Sequence, residues 1–419
     1  MNIHPIPLLC ALSGTLAPTL AYAGNEILPP AETAGSVLNA EEVLPTVRFV
    51  VPGEGDVTVQ FGGRVLYDVS FNSADDDLKS SGDKYFDSAE FRSARFMVKG
   101  TIYDAVDYKV NYDFAGGTVG FKDLWMQTQV GCGKIRVGHF FEPFGLEDNT
   151  SGKYLTFAER SLTSAFAPSR NGGIMYHNQI EGDTDWTWAI AATRDANSAG
   201  DYDGETSGAY NFTARATAAP TNDKETGDLL HLGLSASIRS DFDGDVRFRS
   251  RPENHVVPRI VDTMAFPADG YTLAGAEFVY GQGPFSFQSE YMMAKVDEAS
   301  GGGMNPTFSG YYGGFSYFLT GEHRNYKNGS FGGIKPKSNY GQGGKGAVEL
   351  TARYSMLDLN DGGVMGGEVT DITFGSNWYL NPNTRIVANY IVSELDDSAA
   401  TTNGEGSLNS LILRFQFSF

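Results

Sequence analysis

Leu411-Ile412-Leu413-Arg414-Phe415-Gln416-Phe417-Ser418-Phe419 alternates strictly along its length. Successive side chains of a strand point to opposite sides. Leu411, Leu413, Phe415, Phe417 and Phe419 therefore share one face, and Ile412, Arg414, Gln416 and Ser418 share the other. One face is wholly apolar and the other mostly polar. In a water-soluble sheet the apolar face would pack on a core. Here the strand finishes on an aromatic and its pattern recurs upstream, which points to a barrel in a membrane. Apolar residues would face lipid and polar residues a watery lumen.

The recurrences are specific. Val57, Val59, Phe61, Val65, Tyr67, Val69 and Phe71 stand opposite Thr58, Gln60, Arg64, Asp68 and Ser70. Val106, Tyr108, Val110, Tyr112 and Phe114 stand opposite Asp107, Lys109, Asn111 and Asp113, and Val348, Leu350, Ala352 and Tyr354 opposite Glu349, Thr351, Arg353 and Ser355. Such segments predict about sixteen strands. They lie near 57–71, 89–101, 106–116, 119–130, 133–141, 171–181, 185–195, 209–219, 228–240, 270–281, 284–297, 307–321, 345–357, 366–379, 383–395 and 407–419. The fold class is all-β, a transmembrane antiparallel barrel. An even strand count puts both ends on the periplasmic side. Odd-numbered connections should then be long external loops: 72–88, 142–170, 196–208, 241–269, 298–306, 358–365 and 396–406 fit. Two connections break the rule: 117–118 is short where a loop belongs, and 322–344 is long where a turn belongs.

Composition agrees. Among 419 residues there are 28 Phe, 21 Tyr and 51 Gly, the girdle aromatics and turn residues a large barrel needs. Trp125, Trp186, Trp188 and Trp378 are expected at the membrane interfaces. Beyond the first two dozen residues no apolar run reaches membrane-helix length. Residues 1–23 read as a secretory signal, apolar from Leu8 to Leu20 with Ala21-Tyr22-Ala23 as a small-x-small cleavage site. Residues 24–55 read as a flexible periplasmic linker and 56–419 as the barrel. With Cys10 in the leader, Cys132 has no intrachain partner, and Gly131-Cys132-Gly133 reads as a tight turn. The formal net charge of −20 argues against a nucleic-acid partner. Because it includes the loops, it does not decide what a pore passes.

Residues 91–180 carry a more particular signal. Phe91-Arg92-Ser93-Ala94-Arg95-Phe96 with Lys99-Gly100, Phe121-Lys122-Asp123, Lys134-Ile135-Arg136-Val137-Gly138, Phe141-Glu142-Pro143-Phe144-Gly145, Tyr154 to Ser161 and Phe166 to Gly172 resemble the phosphate-selective porin O/P family. Ser316 to Arg324 continue the likeness, which runs from about residue 57 to the end. The resemblance implies a sixteen-stranded outer-membrane barrel, usually a homotrimer, that passes small anions (phosphate, polyphosphate, chloride) by diffusion. It implies that loop 142–170 folds into the lumen as a constriction, with Lys153, Arg160 and Arg170 as its basic groups. It also implies that a turn in this region enters the barrel and supplies lysines; the long turn holds Arg324, Lys327, Lys335 and Lys337, and a flexible exposed basic turn is the alternative.

Residue chemistry adds the rest. Arg247-Phe248-Arg249-Ser250-Arg251 puts three arginines on one side of an extended segment. Their planar forks match phosphate oxygens, so they could pass an anion from site to site; a solvated run touching lipopolysaccharide is the alternative. Tyr154 to Phe166 could form a short helix, with Glu159 and Arg160 able to pair. Lumen-wall cations are expected at Arg64, Arg95, Lys99, Lys109, Arg136, Arg353, Arg385 and Arg414. Asp68, Asp107, Asp113, Asp123, Glu349 and Asp371 oppose them, and cross-strand pairing that only stiffens the wall is an open alternative. Asp75-Asp76-Asp77, Asp201 to Glu205 and Asp396-Asp397 are external acidic stretches that could take divalent cations beside lipopolysaccharide. Phe419 reads as the signal for barrel-assembly machinery. No cofactor, metal or catalytic set is expected. A general porin of the same fold, an outer-membrane barrel enzyme using His177, and a secreted glycan-binding β-protein are the competing readings.

Overall fold

The computed structural model describes residues 46–51, 55–80, 85–180, 185–196, 210–240, 245–298, 305–398 and 404–419. The signal segment, most of the linker and Asp201 to Glu205 lie outside the described residues.

Sixteen strands form the wall. They are β1 (Gly55–Ala74), β2 (Ser88–Ile102), β3 (Val106–Asp113), β4 (Gly120–Val130), β5 (Gly133–Phe141), β6 (Arg170–Ile180), β7 (Asp185–Arg194) and β8 (Asn211–Asn222). Then come β9 (Leu229–Ser240), β10 (Phe266–Gln282), β11 (Phe285–Glu298), β12 (Thr307–Phe318), β13 (Ala347–Asp361), β14 (Val364–Asn381), β15 (Thr384–Ser398) and β16 (Gly406–Ser418). Each pairs antiparallel with the next. The ring closes where β1 meets β16, in register from Arg64↔Ser418 to Ala74↔Leu408. Closure leaves no free edge, which a sheet in lipid requires.

The alternation read from the C-terminal segment holds. Leu411, Phe415, Phe417 and Phe419 are 36–49% exposed, whereas Ile412, Arg414 and Gln416 are buried. The same inversion runs round the barrel: the outside carries Phe61, Phe91, Met126, Ile190, Phe212, Leu234 and Phe374, and the buried inner face carries Arg, Glu, Asp, Asn and Thr. Large apolar side chains exposed in a continuous belt need lipid, not water, as solvent.

Some expectations give way. Thr46–Val51 is a strand paired antiparallel with Gly55–Gln60, inside the stretch read as linker. Connection 358–365 shrinks to Gly362-Gly363, because β13 and β14 stay paired as far as Asp361↔Val364. Trp125 turns inward: its neighbours Leu124 and Met126 are 38% and 61% exposed, and its ring lies under the Arg136 guanidinium at 4.2 Å. Trp186, half exposed, keeps its outward place.

The apolar core sits inside the loop end of the barrel. Phe144, Leu162 and Phe166 from residues 142–169 and Phe248, Val257 and Ile260 from residues 245–265 pack there on Met292, Phe308 and Leu357 of the wall. Phe248 meets Phe166 and Phe308 with ring centroids 5.6 Å apart in both cases.

Candidate functional site: a cation-lined cavity beside three inner segments

Of the short helix expected over Tyr154–Phe166, residues 142–169 form only the last five residues, Leu162–Phe166, as a 3-10 turn. One α-turn stands at Leu146–Asn149. An extended stretch whose backbone polar groups lack a helix must find other partners. Here they come from inward-facing wall side chains of β13 to β16. Gln416 donates to the Lys153 carbonyl (2.9 Å), Arg385 to that of Leu155 (2.7 Å), Asn377 to that of Thr156 (2.8 Å) and Arg353 to that of Glu159 (3.1 Å). Asn389 Oδ1 accepts the Ala158 N–H at 2.7 Å. At the start of the segment, the Glu290 carboxylate on β11 accepts the N–H groups of Leu146 (2.6 Å) and Glu147 (2.9 Å) and the Tyr312 hydroxyl (2.7 Å).

Ion pairs fix the same segment. Glu159 does not pair with Arg160. It takes a bidentate fork from Arg92 (2.8 and 2.9 Å) and a third bond from Arg414 (2.6 Å), which also grips Asp68. Burial pushes the Glu159 carboxyl up, but Arg92 and Arg414 outweigh it and hold it below the usual range. Arg160 instead meets Asp148 at 3.2 Å and three carbonyls of residues 147–150. Burial raises the Asp148 carboxyl despite that arginine. Arg353 bridges Glu147 and Glu253.

The long turn packs against this segment. Phe331 N–H donates to Thr150 Oγ1 at 3.3 Å, Arg215 on β8 donates to the Gly329 carbonyl at 2.8 Å, and the Tyr326 hydroxyl lies 2.6 Å from His231 Nδ1 on β9. Arg324 stacks on Phe331 (3.4 Å) and donates to Gln288 (2.8 Å); burial pulls its pKa down. Lys327 is half-buried; Lys335 and Lys337 are exposed, and Lys337 bonds the Gly321 carbonyl at 2.7 Å.

The arginine run does alternate as read. Arg247 and Arg249 are exposed and Arg251 half-buried, opposite buried Val246 and Phe248. Arg247 is already paired with Asp262, at 2.7 Å through Nε. Arg251 donates to the Val257 carbonyl at 2.7 Å, and burial together with Arg92 and Arg249 lowers its pKa. Asp75 caps the turn that follows it, 2.9 Å from the Leu78 N–H.

What these segments leave open is a cavity of about 880 Å³ bounded by inner faces of β1 to β8. Arg64, Arg95, Lys99, Lys109, Arg136, Lys153, Arg160, Arg170 and Arg215 line it, against Asp107 and Asp123. Of the expected wall cations, Arg64, Arg95, Lys99, Lys109 and Arg136 are brought together with Lys153, Arg160 and Arg170 of the loop, whereas Arg353, Arg385 and Arg414 hold residues 147–159 instead; the arginine run lies elsewhere and the long turn contributes only Asn328. Five cavity cations are spent on carboxylates: Arg95 on Asp113, Lys109 and Arg170 on Asp123, Arg160 on Asp148, Arg215 on Glu277. Arg64 bonds only hydroxyls, of Ser93 (3.2 Å) and Ser151 (3.3 Å). Arg136 bonds Gln127, and Lys99 has no carboxylate in reach among the described residues. Arg215 is the lining cation absent from the sequence-based set; its place opposite the lipid-facing Phe212 and Ala214 on a period-two segment was the available signal.

Residues 59–419 match the family described as phosphate-selective porin O and P. The chain belongs to that family. Porin O of Pseudomonas aeruginosa is 27% identical over 441 residues, covering 95% of both chains. An uncharacterized protein of Caulobacter vibrioides is 28% identical over 421 residues, covering 95% of this chain and 83% of its own. Among solved structures, the outer-membrane channel DcaP of Acinetobacter baumannii superposes with a TM-score of 0.55 at 13% identity, covering 88% of this chain and 98% of its own. The anion-selective porin of Comamonas acidovorans gives 0.51 at 14%, covering 87% and 100%. This porin is thus an outer-membrane barrel channel.

Proposed function

We propose that this porin is an anion-preferring diffusion channel whose route runs along the inner face of β1 to β8, with residues 142–169 as its inward constriction. One observation carries the reading. The cavity has nine basic and two acidic side chains in a chain whose formal charge is −20. A cleft of one sign between low-dielectric walls focuses the field, so counter-ions concentrate there although the whole molecule repels them. Arg64, Lys99 and Arg136 act as the selecting cations because no carboxylate among the described residues pairs with them. The likeness to an anion-selective porin supports the same direction.

Phosphate is the oxyanion the family description names, and polyphosphate shares its chemistry. Arg247, Arg249 and Arg251 would gather them at the loop end, and Arg324, Lys327, Lys335 and Lys337 would receive them at the turn end. Export through a signal at 1–23, insertion by barrel-assembly machinery acting on Phe419, contact with lipopolysaccharide and assembly as a homotrimer complete the reading; a Vibrio cholerae OmpT of the same fold has a trimer form. The test is a planar bilayer under a potassium chloride gradient, followed by phosphate titration. An anion-signed reversal potential with phosphate block of the chloride current supports both parts. A cation-signed potential overturns the reading, and an anion-signed one without block leaves a general anion porin.

A further inference from the structure

Trp125 faces the cavity between the lipid-facing Leu124 and Met126, and it stands beside two lysines. In register across four strands lie Lys99, Lys109, Trp125 and Gly138. Directly opposed residues of an antiparallel pair share a face and lie side by side. Gly138 offers no side chain: a Cβ there would come 2.8 Å from the Trp125 Cα and 2.2 Å from the Leu124 carbonyl oxygen. Arg136 covers the indole at 4.2 Å, and both its Nε and an Nη are fixed by Gln127. Met97 lines the same cavity one row away, two residues before Lys99 on the same inward face. A large aromatic surface bordered by cations is more than a small inorganic ion uses. A passage for hydrated anions alone gains nothing from an indole and a thioether on its wall, because neither helps replace a hydration shell.

We infer that the Trp125 row is a subsite for organic anions that carry a flat apolar body, of which aromatic carboxylates are the class. The carboxylate lies between the Lys99 ammonium and the Arg136 guanidinium, and the ring packs against the indole and the Met97 thioether. Aromatic rings favour offset or edge contact with an indole, and a guanidinium over that indole supplies the charge beside it. The subsite rests on the anion-preferring reading and deepens it: it names what the channel holds on the way through.

The probes are benzoate and acetate, equal in charge and different in the ring. In bilayers holding the full chain, benzoate should depress the chloride current at a roughly three- to tenfold lower concentration than acetate. Trp125→Leu should bring the two concentrations together, and Trp125→Phe should restore part of the difference. Equal block by both acids in the unaltered porin overturns the subsite without any variant, and a benzoate preference that survives in Trp125→Leu overturns the role of the indole. The reversal potential of the unaltered porin reads anion preference separately. An anion-signed potential with equal block therefore removes the subsite alone, and a cation-signed one removes the reading beneath it.

Discussion

At the residue scale, the same type of side chain does two different jobs on the two sides of the barrel. Arg353, Arg385 and Arg414 are buried and spend their donors on residues 147–159. Lys99 and Arg136, half-buried, and Arg64, itself buried, line the open cavity instead. Removing one of the first kind strands the charges it held. Arg353→Ala would leave Glu147 and Glu253 buried without a cation, at about 3–5 kcal/mol. A lower temperature for loss of the β-sheet circular-dichroism signal in detergent is the expected result; an unshifted transition would show that the bridge carries little. Glu290 is the reverse case, a wall carboxylate holding loop N–H groups. Hydrogen bonds of this kind contribute about 0.5–1.5 kcal/mol each. Glu290→Ala should free the Leu146–Asn149 turn and give noisier, larger single-channel currents, and Glu290→Gln, which keeps one acceptor, should fall between. Currents identical to the parent would dissociate Glu290 from the constriction. Which partner each arginine meets was not legible in the sequence. Glu159 and Arg160 are neighbours, yet Glu159 is claimed by Arg92 and by Arg414, 255 positions away, because only closure of the ring brings those strands beside it.

At the scale of elements, period two was enough to place all sixteen strands, because in a barrel every strand has one face in lipid and one in water. Trp125 was misplaced for want of the same rule: it alternates with Leu124 and Met126, so the parity that assigns them to lipid assigns it to the lumen. The segments between strands were legible in length but not in shape, since their conformation is set by wall side chains and not by their own propensities. The seam between β1 and β16 gives a direct test. Gly63 and Phe419 exchange backbone bonds of 2.8 and 3.2 Å, and a Cβ at Gly63 would come 2.4 Å from the Arg95 carbonyl oxygen and 2.6 Å from the Phe419 ring. Gly63→Val and deletion of Phe419 should both lower the fraction of chain that runs as the folded, heat-modifiable barrel on gels. Full folding of both would mean that the seam is closed by the remaining register alone.

At the scale of the molecule, the barrel is filled unevenly. Residues 142–169, 245–265 and 319–346 bond mainly to β9 to β16 and reach β1, β2 and β8 at points such as Arg64–Ser151, Arg92–Glu159 and Arg215–Gly329, while the cavity keeps to β1 to β8. On the proposed anion-preferring reading, the sign of the cavity wall counts for more than the net charge of −20. The reversal potential under a potassium chloride gradient, compared between the parent and an Arg64→Gln, Lys99→Gln, Arg136→Gln triple variant, tests this most directly. An anion-signed potential that moves toward zero in the triple variant is the predicted result. A parent potential of cation sign, or an anion-signed one that the three substitutions leave unmoved, would contradict it.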